Sequence, residues 1–214
     1  MLDHLLVDFI AAVQESFDRA LLERGTLEER FLVDVFLGDL SWEASYSLPG
    51  EGQPPRVRVD LTVEWSTWSQ AAYRSWSIGE TPADMPEAVI EVALRIQRLA
   101  EAPAPARVLA VLPPFSPPIG GDPLVRTATT VEEVHGELAQ ADEPADGAAL
   151  EERPVHWAIE GSYQGTIRFD EAQLDDPSTL VPITDALTGW VSSTLVRMAD
   201  LPLSFHPPDP ADAQ

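Results

Sequence analysis

Two runs of strict alternation constrain this chain more than any other feature. Residues 40–48 set Leu40, Trp42, Ala44, Tyr46 and Leu48 against Ser41, Glu43, Ser45 and Ser47. Residues 56–65 repeat the pattern, with Val57, Val59, Leu61, Val63 and Trp65 against Arg56, Arg58, Asp60, Thr62 and Glu64. Successive side chains of an extended chain point to opposite faces, so each run has one apolar and one polar face. That is the signature of a half-buried antiparallel strand. The turn-rich stretch Pro49-Gly50-Glu51-Gly52-Gln53-Pro54-Pro55 between them predicts a hairpin. Phe31 to Leu37 reads as an earlier strand, or as the first half of one long strand bent at Gly38. Residues 70–78 read as a further strand.

Helical periodicity marks three other segments. Leu2, Leu5, Leu6, Phe9, Ile10, Val13, Phe17 and Leu21 recur at steps of three and four, and Gly25 supplies a stop. In 84–99, Asp84, Pro86 and Glu87 read as a capping box with an early proline. Met85, Val89, Val92, Ile96 and Leu99 then follow at helical steps, and Ile90, Ala93 and Leu94 widen the stripe. A second helix is therefore predicted there, and its wide stripe suits a core or a homodimer interface. From Thr179 to Leu201, a last helix carries Leu180, Ile183, Leu187, Val191, Leu195, Met198 and Leu201 on one face.

Between these helices, Arg107 to Leu112 reads as a short buried strand and Pro113 to Pro118 as a proline-broken stretch. Val131 to Leu138 reads as a short helix capped by Thr130, followed by an acidic loop over 139–152. Val155 to Glu160 and Thr166 to Phe169 read as two strands around a turn at Gly161 to Gly165. The expected fold is α+β: an antiparallel β-sheet packed on one face by α-helices, in the order α-β-β-β-α-β-(acidic insert)-β-β-α. The expected organisation is a single domain over 1–206, with a Pro-rich and acidic insert at about 113–153 and a disordered tail over 207–214. This element order resembles that of the small acidic type III secretion chaperones and the related YbjN-like domains. The resemblance lies in element order and assigns no role to any residue.

Composition narrows the chemistry. The 214 residues contain no Cys, which removes disulfides, thiolate nucleophiles and Cys-ligated metals. All 13 basic residues are Arg, so neither Schiff-base chemistry nor a phosphate-binding lysine is open to the chain. Asn is missing as well, and with it any N-glycosylation acceptor. A coding bias towards GC-rich codons is the expected cause of both absences, and selection against heat-labile side chains is the alternative. The formal charge of −23 divides as −9, −7 and −7 over residues 1–100, 101–154 and 155–214, which leaves no basic island for nucleic acid or an anionic membrane. The N-terminus carries Asp3 and Asp8 and no basic n-region, so it does not read as a signal peptide. No stretch reaches the roughly 18 apolar residues of a membrane span, and cytoplasmic residence is the expectation.

Motifs for catalysis are scarce. His4, His135, His156 and His206 are scattered; Glu133 with His135, or His206 with Asp209, would supply two metal ligands where three or four are needed. No metal site and no cofactor is expected. Gly161-Ser162-Tyr163-Gln164-Gly165 has Tyr where a nucleophile elbow has Ser, and Gly120-Gly121 lacks the register of a phosphate loop. Adjacent carboxylates such as Glu132/Glu133, Glu151/Glu152 and Asp175/Asp176 point apart instead of converging.

The aromatics are the more informative group. Trp42 and Trp65 fit the apolar faces of their strands. Trp68, Tyr73, Arg74 and Trp76 crowd a short stretch, and Trp, Tyr and Arg are the residue types enriched at binding hot spots. Burial in the core or over a sheet edge would also account for them. The expectation is a non-catalytic, chaperone-like adaptor that binds a protein partner of basic character, with Trp68, Tyr73, Arg74 and Trp76 as the partner-binding residues. One alternative is an immunity or inhibitor protein whose acidic face blocks a basic partner such as a nuclease. An enzyme with no motif visible in the sequence is the other.

Overall fold

A computed structural model describes residues 11–12, 15–16, 26–34, 39–47, 56–64, 66–81, 84, 86–114, 121–134, 156–169 and 176–207. Six strands are present: β1 (Thr26–Asp34), β2 (Asp39–Ser47), β3 (Val57–Glu64), β4 (Glu87–Leu99), β5 (Val125–Val134) and β6 (His156–Arg168). They form one sheet in the order β1-β2-β3-β4-β6-β5, and every neighbouring pair is antiparallel. Three helices accompany it: α1 (Thr67–Ser77), α2 (Pro105–Leu109) and α3 (Val181–Ala199), the last entered through a short 3-10 turn, Pro177–Leu180. Residues 11–12 and 15–16 are also helical.

Register explains the core. Val57, Val59, Leu61 and Val63 of β3 stand opposite Ile96, Leu94, Val92 and Ile90 of β4, and all eight are buried. On the next strand the same row continues as Ile159, Gly161, Tyr163 and Gly165. Val57, Leu61 and Ile90 join Tyr73 of α1 and Leu187, Val191, Leu195 and Met198 of α3 in one apolar cluster, so both helices lie on the same face of the sheet. Burying each such Leu or Ile contributes roughly 1.5–3 kcal/mol, which makes this shared row the main source of stability. The predicted stripe of the last helix is therefore the one that packs. Thr184, Thr188 and Thr194 of α3 are also buried, and their hydroxyls donate to carbonyls of the preceding turn. Ser16 meets the first of them, its hydroxyl 3.2 Å from Thr184 Oγ1 and 2.6 Å from Asp185 Oδ1.

The α+β class and the antiparallel sheet with helices on one face stand as expected, but several segments behind the order change identity. Residues 87–99 are strand β4, not a helix. Ala88, Ile90, Val92, Leu94 and Ile96 are buried at a period of two, and Val89 and Ala93 on the other face mimic the steps of a helix. The stripe offered there for a dimer is thus a row of the core. Residues 67–77 are helix α1 where a strand was expected, and Pro105–Leu109 is a short helix instead of a strand. Val131 to Val134 belongs to strand β5, inside the segment read as an insert, so the helix expected from Val131 is overturned. His156 to Arg168 is one continuous strand, without the turn expected at Gly161. β1 and β2 form a hairpin of their own, with Phe31 opposite Trp42. The turn at 49–55, Trp65, the acidic loop at 139–152 and the tail from 208 lie outside the described residues.

Gly161 and Gly165 have a packing role that a turn would not need. A Cβ on Gly161 would lie 2.7 Å from Leu112 Cδ1, and one on Gly165 would lie 2.9 Å from the Asp122 carbonyl oxygen. The bare strand lets Leu112 and the chain at Asp122 and Leu124 press against the sheet. Tyr163 between the two glycines donates its hydroxyl to Pro113 O at 2.9 Å, and Arg126 Nη1 donates to Leu112 O at 2.8 Å.

Candidate functional site

Helix α1 is defined at both ends by local chemistry. Ser66 caps its start, the side chain accepting from Ser69 N at 3.3 Å. Its end is a Schellman motif: Glu80 N donates to Ser75 O and Gly79 N to Trp76 O, both at 2.9 Å, with Gly79 at φ +83°. The buried Ser69 hydroxyl accepts from Glu87 N at 3.0 Å and donates to Glu87 O at 2.6 Å, fixing the helix to the first residue of β4.

The four aromatic and basic residues read from the sequence all lie on α1, but on different faces. Ser69, Tyr73 and Trp76 follow at steps of four and three and face inward. Tyr73 is buried, Trp76 is half-buried against the core, and their rings stack at 6.1 Å and 28°. Thr67, Ala71, Arg74 and Ile78 follow at the complementary steps and are exposed. Trp68 flanks this ridge and is 47 % exposed, while Ile78 at the end is 69 % exposed. Only Trp68 and Arg74 of the predicted set therefore face solvent, joined by Ile78, which the sequence reading omitted.

The opposite face of the sheet is polar, and its charges are interleaved. Arg58 pairs with Asp60 at 2.9 Å, and Arg95 pairs with Glu132 at 2.6 Å and Glu160 at 3.7 Å. Arg168 lies 3.6 Å from Glu87, and Gln164 Nε2 donates to Glu91 Oε1 at 2.9 Å. A depression of about 330 Å³ lies among Asp60, Thr62, Glu91, Glu160, Ser162 and Gln164. Ser162 Oγ donates to Glu160 Oε1 at 3.4 Å, and Arg95 lies 3.7 Å from the other oxygen of that carboxylate. Tyr163 is no general base: burial pushes its pKa up to about 12, with Arg126 pulling the other way. No group of three or more His, Asp or Glu among the described residues is placed to hold a metal ion.

One cluster escaped the sequence because its members are far apart in the chain. The strap around Phe205 pairs with the end of β4 through a Leu99–Phe205 bridge. His206 N donates to Arg98 O at 2.8 Å, and Arg98 Nη2 donates to His206 O at 2.9 Å. The Arg56 guanidinium sits 4.3 Å over the Phe205 ring, and His156 meets His206 edge-on at 4.7 Å. Arg98 is buried with φ +66°, a left-handed backbone fixed where the β4–β6 register shifts between Ile96 and Leu99. Geometrically the cluster is a clamp on the chain end.

No family model, no curated protein and no solved structure matches this chain. No described helix is long and apolar enough to cross a membrane.

Proposed function

We propose that this protein is a non-catalytic binding module for a protein partner, recognised in part through the solvent-facing ridge of α1. The observation that carries the reading is Trp68, 47 % exposed on a helix that also turns Arg74 and Ile78 to solvent and whose other face is bolted to the core. A rigid helix presenting Trp, Arg and Ile spends little entropy on binding, because the platform is already ordered. The acidic composition favours a basic partner and steers it by charge. The interleaved ion pairs on the open sheet face favour this reading over an acidic ridge that imitates nucleic acid, since Asp60, Glu87, Glu132 and Glu160 each lie within ion-pair distance of an Arg.

The test is affinity capture from native lysate at low and high salt, using the wild-type chain and Trp68→Ser. A partner held by the wild type, weakened by salt and lost by Trp68→Ser supports the proposal. Equal retention by both proteins removes α1 from the interface, and failure to retain any protein contradicts the module itself.

A further inference from the structure

Strand β5 lies at one end of the sheet order, and among the described residues it pairs only with β6. Eight of its ten residues are exposed, including Val125 at 52 % and Val131 at 42 %. Its start is capped, because Arg126 N donates outward to Pro114 O at 3.1 Å. Beyond that point, among the described residues, no hydrogen bond reaches the outer edge of 127–134. An unpaired edge is a template for another strand, and proteins ordinarily guard it with Pro, Lys, charges or a short length. The run Thr127-Ala128-Thr129-Thr130-Val131 holds no Pro, Lys or charge, and it lies between the register shift at Arg126/Ala128 and the acids Glu132 and Glu133.

We infer that the β5 edge is a docking site for an extended basic segment of a protein partner, which adds to the sheet as a seventh strand; this rests on the binding-module reading and extends it. The backbone of 127–134 supplies the hydrogen bonds, Val131 supplies apolar contact, and Glu133 on the same face of the strand selects Arg or Lys on the incoming strand, Glu132 being held by Arg95. A second copy of this chain fits the edge poorly. Two-fold pairing centred on Val131 sets the Glu132 residues of the two copies at diagonal positions on one face, and pairing centred between Glu132 and Glu133 sets acids directly opposite acids, where like charges repel. A register that brings Arg126 opposite those acids would need backbone already bonded to Pro114 and a guanidinium already holding Leu112 O.

The probe is a capped peptide of alternating Arg and Thr, tested beside its Glu-for-Arg counterpart and beside versions N-methylated at either alternate set of residues. Binding is read by anisotropy, and the site by amide hydrogen exchange. The basic peptide should slow exchange over 127–134, bind more weakly as salt rises, and fail when the edge-facing set is N-methylated while tolerating the other set. Glu133→Arg, an exposed substitution, should weaken it about tenfold. Unaltered exchange over 127–134, or equal binding of all the N-methylated forms, overturns the assignment. Self-association that Glu133→Arg enhances overturns it too, in favour of a second copy. A partner captured through Trp68 without protection of 127–134 sinks the edge assignment and leaves the α1 proposal standing.

Discussion

Tyr163 offers the sharpest physical test of the core. It is 1 % exposed, its ring meets Trp190 nearly at right angles at 5.0 Å, and its hydroxyl donates to Pro113 O. Burial raises its pKa from 10.0 to about 12, partly offset by Arg126. Below pH 10 the phenol is protonated in both folded and unfolded chains, and its contribution is complete. Between about 10 and 12 the unfolded chain ionises while the native one keeps its proton, so stability falls as pH rises; above that window the contribution is gone. Two units correspond to roughly 2–3 kcal/mol. The missing Lys makes the window clean, because Tyr46 and Tyr73 are the only other tyrosines and no ammonium titrates there. Tyr163→Phe should cost roughly 1–3 kcal/mol at pH 8 by leaving the Pro113 carbonyl without its donor. It should also lose most of the alkaline slope. Urea unfolding followed by Trp fluorescence at pH 8, 10 and 11.5 measures both effects. Equal alkaline slopes in the two proteins would refute the burial argument.

Substitutions at three further joints probe the packing separately. Gly165→Ala meets main chain of Asp122 and Leu124, which cannot swing away, whereas Gly161→Ala meets the tip of Leu112. Gly165→Ala should therefore be the costlier of the two, by roughly 1–3 kcal/mol, and the reverse order in urea melts would contradict the packing described. Ser69→Ala strands both backbone groups of Glu87 and should lower stability by about 1–3 kcal/mol, with faster exchange over 66–78; an unchanged melt would mean that α1 is held by other contacts. Arg98→Gly relieves the left-handed backbone that Arg98→Ala keeps, so the Gly variant should be about 1 kcal/mol the more stable in the same assay, and the opposite ranking would remove the strain.

How much of this could be read from the residues depends on what the residues encode locally. The runs at 40–48 and 56–65 are legible because one face is cleanly polar, and β2 and β3 lie there in register. β4 is misread because Val89 and Ala93 put apolar groups on its open face, so Met85, Val89, Val92, Ile96 and Leu99 can be picked out at helical steps. The β-branched run Val89, Ile90, Val92 and Ile96 is the signal that favours a strand. In 67–77 the punctuation held the answer: Ser66 as N-cap and Gly79 as left-handed stop bracket a helix of 11 residues. β6 is hidden by Gly161 and Gly165, which look like turn residues but serve close packing. Of the site, composition points to the Trp68 to Trp76 stretch, but only the helix phase separates Trp68 from Tyr73. The open edge of β5 and the His156–His206 contact arise from pairing between distant segments, and no local pattern announces either.

The account stands on recognition by surface contact, and hydrogen exchange on the complex with a captured partner tests that most directly. Protection should concentrate in 66–78 and 127–134, with the open sheet face around Asp60, Glu91 and Ser162 unchanged. Protection centred on that open face, or consumption of a small molecule there, would contradict it.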